Sequence, residues 1–169
     1  LYGDIIFDTT ILEKLLKSPA DITLVVDLAW QEQPRHGGQP AHLNPDLVTL
    51  AEPPGKSYLS RFVLPEGDHR IAKIGQRLTP DQAHGEFIGM AMCSERGTQI
   101  VRDVYAELRT KAQGRSVHEA PTLLKASLTD LIQALIDRGH SVHSVPIYKG
   151  WMEVDSFEEY QQAWAKLRR

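Results

Sequence analysis

Apolar and polar positions alternate along the chain in blocks that change period, and the period predicts the elements. The opening Leu1-Tyr2-Gly3-Asp4-Ile5-Ile6-Phe7 reads as a short strand whose Gly3 admits close backbone approach. Thr9 and Thr10 can cap a helix carrying Ile11, Leu12, Leu15 and Leu16 at helical spacing, ending near Ser18-Pro19. Residues 22–26, Ile-Thr-Leu-Val-Val, form a continuous β-branched run of the kind buried on both faces of a sheet. Strand, helix and strand in that order predict a parallel α/β unit.

Between residues 31 and 54 prolines and glycines interrupt every pattern, which predicts a loop or an insertion. Residues 58–64 and 69–78 read as strands joined through Pro65-Glu66-Gly67-Asp68, and Gly85 to Met92 as another strand, framed by glycines that allow close approach. Ser94 opens an amphipathic helix with Ile100, Val101, Val104, Tyr105 and Leu108 on one face. A second helix after Pro121 carries Leu124, Leu128, Leu131, Ile132 and Leu135 and stops at Gly139. Residues 142–148 and 151–154 read as strands, and the last helix, from Phe157, sets Tyr160, Ala163, Trp164 and Leu167 on one face. The ordering predicts a single domain over residues 1–169, an open mixed sheet with helices on its faces.

Composition changes this picture little. The 169 residues, 41% hydrophobic and 24% charged with net charge −3, suffice for one real core and give no electrostatic reason to expect nucleic acid or a membrane surface. Cys93 is the only cysteine, which excludes an internal disulfide and a cysteine-rich zinc site and fits a cytoplasmic setting. A strand under way at Leu1 without an initiating Met suggests that the chain begins in the middle of a fold.

The candidate chemistry lies at strand ends. Asp4 and Asp155 each sit at the end of a short apolar run, and two carboxylates delivered this way can share one magnesium ion, which takes oxygen ligands and is held by one or two carboxylates plus substrate phosphates. Asp155, followed by Ser156-Phe157-Glu158-Glu159, fits a helix N-cap equally well. Glu86 is a candidate contact for a cationic acceptor or an edge-strand glutamate facing water. Trp151 could wall a pocket or cover a cation, or simply fill a core. Asp27 and Trp30 follow the second strand, where open α/β sheets place ligands, although Asp27 also reads as a turn former. Lys149 is a candidate phosphate contact.

Four segments, Tyr2-Gly3-Asp4-Ile5-Ile6-Phe7, Asp21 to Asp27, Gly85-Glu86-Phe87-Ile88-Gly89 and Gly150 to Tyr160, occur in the order found in nucleotidyltransferase domains. The chain resembles the domain fused to phosphoenolpyruvate phosphomutases in phosphonate pathways, related to phosphocholine and aminoethylphosphonate cytidylyltransferases. The resemblance implies a Rossmann-like, glycosyltransferase-A-type fold that moves a nucleotidyl group from a nucleoside triphosphate, CTP, to a phosphonate or phosphate acceptor, with Asp4 and Asp155 as magnesium ligands. Members of that family carry a glycine-rich triphosphate loop before the position of Asp4, and nothing here matches it. The expectation is therefore the carboxyl-terminal portion of such a domain, inactive without the amino-terminal part. The competing expectations are a binding or regulatory domain that kept the fold and lost the chemistry, and a nucleotide-sugar glycosyltransferase, which would want an Asp-x-Asp motif that is absent.

Overall fold

The computed structural model describes residues 1–32, 45–53, 69–111, 114–154 and 156–167. In chain order the elements are β1 (Ile5–Phe7), α1 (Thr9–Leu16), β2 (Ile22–Asp27), β3 (Leu47–Leu50), β4 (Ile71–Gly75), β5 (Gly85–Cys93), α2 (Glu95–Lys111), α3 (Leu128–Asp137), β6 (His143–Ile147), β7 (Trp151–Glu153) and α4 (Phe157–Leu167). Five strands form a mixed sheet in the order β4-β3-β5-β2-β6, with β2 and β6 parallel and the other pairs antiparallel. All six residues of β2 are buried, as its unbroken β-branched run requires of a strand covered on both faces. No helix among the described residues is long and apolar enough to cross a membrane.

The sheet separates two cores. On one face Leu24 and Val26 of β2, Val48 and Leu50 of β3, and Ile71 and Ile74 of β4 meet Val104 and Leu108 of α2 and Ile132 and Leu135 of α3. On the other, Val25, Ile88, Met90 and Ile147 meet Ile11 and Leu15 of α1, and Ile5, Phe7 and Trp151 pack against them. Alternation along β2 thus feeds both layers.

Helix α2 is seated by a close approach. Ser94 accepts the Gly97 amide hydrogen at 3.0 Å, donates its hydroxyl to the Asp21 carboxylate at 2.7 Å, and donates its backbone N–H to the Asp21 carbonyl at 2.9 Å. A Cβ at residue 97 would overlap the Asp21 carbonyl. Gly97→Ala therefore forces helix and strand apart, and the overpacking, less the gain in helix propensity, is expected to destabilise by roughly 1–2 kcal/mol. A melting temperature lower by about 4 °C checks this; an unchanged or raised value contradicts the seating.

Several elements differ from the sequence expectation. Strand β1 does not extend a parallel unit with β2; it pairs antiparallel with β7 in a separate two-stranded ribbon. The reason lies in Ile5, Phe7 and Trp151, whose side chains cover the α1 face of the sheet, so the ribbon lies on that face instead of widening it. The stretch 31–54 is entered through a 3-10 turn, Trp30–Glu32, and contains Leu47–Leu50, an interior strand between β4 and β5. Pro45 and Pro53 fall outside that strand and bracket it rather than break it. Residues 33–44 of the expected loop, the expected strand 58–64 and the connection 65–68 lie outside the described residues. Asp8, not Thr9 or Thr10, caps α1, accepting the Thr10 amide hydrogen at 2.8 Å. The expected helix after Pro121 begins only at Leu128, where Ser127 and Asp130 form a capping box, and Leu124 stands in a 3-10 turn with its side chain in solvent.

Candidate functional site

The ribbon joins the two ends of the sequence. Ile5, Ile6 and Phe7 lie opposite Glu153, Met152 and Trp151. At one end the Val154 N–H donates to the Asp4 carbonyl at 2.8 Å; at the other the Asp8 N–H donates to the Gly150 carbonyl at 2.8 Å. The side chain of Asp4 is exposed. Asp155 follows Val154 directly in sequence and lies outside the described residues.

Tyr2 fixes the approach to Asp4. Its N–H donates to the Gly89 carbonyl at 2.9 Å, and its ring packs edge-on against Phe87 at 5.9 Å. Gly89, at φ +78°, has no Cβ because one would overlap that ring. The phenol donates to Asp46 at 3.4 Å, and Asp46 also accepts from Thr129 at 3.1 Å and from the Gln76 amide at 3.2 Å. Burial pushes the Asp46 carboxyl up. Burial first, then the neighbouring Asp46 charge, pushes the Tyr2 phenol up to about 12 from 10.0.

Since the folded state holds the Tyr2 proton more tightly than the unfolded chain does, its stabilisation is complete below pH 10 and is lost as pH rises toward 12. Urea midpoints measured from pH 9 to 12 are expected to fall across that window and to fall less steeply in Tyr2→Phe. Parallel curves for the two proteins would contradict the assignment.

The carboxyl ends of β2 and β6 hold the remaining candidates. Asp27 is fully buried and accepts from the Ala29 N–H at 2.8 Å, the Lys149 N–H at 3.1 Å and the Trp151 indole N–H at 2.8 Å. One carboxylate thus fixes the end of β2 and both sides of the β6–β7 turn. That turn places Lys149 at φ 63° and Gly150 at φ 88°, in the left-handed region that Gly tolerates and Lys resists. The Lys149 ammonium lies 3.4 Å from Glu32, and both side chains are about half in solvent. Glu86 on β5 is half-buried and sits in register with Asp27 on one side and Leu47 on the other. Trp151 lies against the α1-side core and is half-buried.

The structure therefore brings Asp27, Glu86, Lys149 and Trp151 to one end of the sheet. Asp4 stands at the far end of β1, three residues from the partner of Trp151, or about 10 Å along the ribbon. Trp30 is buried in the 3-10 turn after β2. Sequence alone points to neither Tyr2 nor Asp46: Tyr2 carries one signal, its place beside Gly3-Asp4, and Asp46 in a proline-rich stretch carries none.

No family model and no curated protein matches this sequence. Solved structures do. The inositol-1-phosphate CTP transferase from T. maritima matches with a TM-score of 0.56 at 18% identity over 98% of this chain and 51% of that one. The nucleoside-diphosphate-sugar pyrophosphorylase from Vibrio cholerae RC9 matches with a TM-score of 0.55 at 13% identity over 98% of this chain and 53% of that one. The chain shares the fold of these two structures. It is Rossmann-like, with the mixed sheet and flanking helices described above, and it spans about half the length of the solved structures it matches.

Within this fold the chemistry of the exposed Asp4 carboxylate suits a hard divalent cation. Among the described residues there is no group of three or more His, Cys, Asp or Glu side chains that could hold a metal by themselves. Magnesium does not need such a group, because substrate phosphates and waters complete its shell around one or two carboxylates.

Proposed function

We infer that the chain is the metal- and acceptor-carrying portion of a nucleotidyltransferase that moves CMP from CTP to a phosphonate or phosphate oxygen, in phosphonate metabolism. The observation that carries this reading is the β1–β7 ribbon, whose hydrogen bond from Val154 to Asp4 brings the two extremities of the sequence side by side at the residue before Asp155. The fold shared with an inositol-1-phosphate CTP transferase and a sugar pyrophosphorylase supports it.

Asp4 and Asp155 are the residues that would hold magnesium. When bound, the ion neutralises charge on the polyphosphate and orients it for in-line displacement. An acceptor oxygen bonds to the α-phosphorus, the bond from that phosphorus to the bridging oxygen breaks, and pyrophosphate leaves with the electron pair. The acceptor is already an anion, so no protein base has to remove a proton. The protein's task is to position two anions against each other. Lys149 supplies positive charge at the turn, Trp151 supplies a flat wall fixed through its indole N–H on Asp27, and Glu86 receives a cationic group of the acceptor.

The test is turnover by the complete polypeptide of the reading frame that encodes these residues. It is incubated with magnesium, each nucleoside triphosphate in turn, and a panel of phosphonates and phosphorylated alcohols, and pyrophosphate is followed. CTP with a phosphonate is expected to give the fastest release, abolished by chelation of magnesium. A folded protein that releases no pyrophosphate with any pair would sink the reading.

A further inference from the structure

A groove opens between α2 and the 3-10 turn Leu123–Lys125 that precedes α3. Buried Leu108 and Val117 form its floor, Tyr105, Leu128 and Leu131 its walls, and Leu124, 98% exposed, stands at its lip. Its volume, about 770 Å³, lies within the range of small-molecule sites, which are mostly apolar with a few polar groups that orient the ligand. Arg109 is the only charged side chain in the lining, and it forms no ion pair or hydrogen bond among the described residues. Glu107, two residues before it, is taken by Lys111 and Arg138. The groove opens on the α2–α3 side of the sheet, and the ribbon that carries Asp4 covers the other side.

We propose that this groove binds an amphiphilic carboxylate, a small molecule whose apolar chain lies over Leu108 and Val117 against Leu124 and whose head meets Arg109. The apolar lining supplies affinity by taking hydrocarbon out of water. Charge selects the occupant. One guanidinium matches one carboxylate through two parallel N–H bonds, whereas a doubly charged phosphate calls for more than one cation, and Arg109 stands alone in the lining. A second copy fits poorly, because in a two-fold contact the patch meets itself, and this patch would bring an arginine and no carboxylate to its own arginine. A bilayer fits poorly too, since its anionic surface is held by clusters of cations, and this groove offers one on a chain of net charge −3.

The experiment is titration calorimetry on the complete polypeptide of the reading frame that encodes these residues, with decanoate as the probe, below its micelle concentration, and decanol and decylammonium as chains of equal length. Decanoate is expected to bind one to one and about fivefold more tightly than decanol, the scale of a half-exposed charge pair, with decylammonium the weakest of the three. Arg109→Gln is expected to bring decanoate to the level of decanol and to leave decanol unchanged. Leu124→Ala is expected to weaken both by about fivefold, through lost apolar contact. Both side chains are exposed, so both variants should melt with the parent protein. Absence of saturable decanoate binding overturns the proposal, whether or not phosphatidylglycerol vesicles bind. So does equal affinity for decanoate and decylammonium, or an unchanged decanoate affinity in Arg109→Gln. A dimer in light scattering that Leu124→Ala abolishes would assign the groove to a second copy and also overturn it. None of these readouts involves pyrophosphate release, so the outcome is independent of nucleotidyl transfer.

Discussion

Asp4→Ala is expected to lower pyrophosphate release by roughly 10²–10³-fold, the cost of removing one preorganised electrostatic partner of a phosphoryl centre. The melting temperature should move by less than about 2 °C, as for other surface substitutions. The separation of the two effects follows from which atoms of Asp4 are used. Its backbone carbonyl closes the ribbon by accepting from Val154, and alanine retains that carbonyl. Its exposed carboxylate is what the substitution removes. Asp4→Asn should recover little activity, because an amide keeps the size and one acceptor oxygen but surrenders the charge that a divalent cation demands. Turnover within twofold of the parent protein would remove Asp4 from the metal site. A loss of melting temperature matching the loss of turnover would make it a structural residue instead.

The elements legible in the sequence are those whose cause is local. The β-branched run of β2 announced a strand buried on both faces, and it is one, covered by α2 and α3 on one side and by α1 and the ribbon on the other. Gly85 and Gly89 read as points of close approach, and each lies where a Cβ would collide, with Val26 and with the ring of Tyr2 respectively. Ser94 read as the start of a helix and caps α2. What was illegible depends on partners far away in sequence. Leu47–Leu50 is four residues among prolines and becomes a strand only because β4 and β5 flank it. The strand, helix and strand at the start suggest a parallel unit, yet β1 answers to β7, about 145 residues further on, and no local pattern carries that pairing. Asp27 reads as an ordinary turn aspartate, and its distinguishing feature, complete burial against Lys149 and Trp151, is tertiary.

That burial makes Asp27→Ala the substitution expected to cost the most stability. Removing the carboxylate leaves the amide hydrogens of Ala29 and Lys149 and the indole hydrogen of Trp151 without the acceptor they now use. An abandoned buried donor costs about 1–3 kcal/mol, and these share a single charged acceptor, so a loss on the order of 3 kcal/mol is expected. For a chain of this size that corresponds to about 6–12 °C in melting temperature. Asp27→Asn keeps the shape but turns an amide NH₂ toward donors on one side, and should fall between the two proteins. A double-mutant cycle with Trp151→Phe isolates the indole bond. Phenylalanine already lacks the donor, so removing Asp27 in that background should cost less than in the parent, by about 0.5–3 kcal/mol. Turnover should fall with Asp27→Ala as well, because the carboxylate fixes the turn that presents Lys149 and Trp151 rather than touching substrate itself. Trp151→Phe keeps most of the flat wall, and should raise KM more than it lowers kcat. Additive losses in the cycle would mean that the 2.8 Å contact between Asp27 and Trp151 contributes nothing to stability. In that case the end of β2 and the β6–β7 turn would be held together by the Lys149 amide on Asp27, the backbone bond from Leu28 to Ile147 and the packing of Ile147 and Val25 against α1.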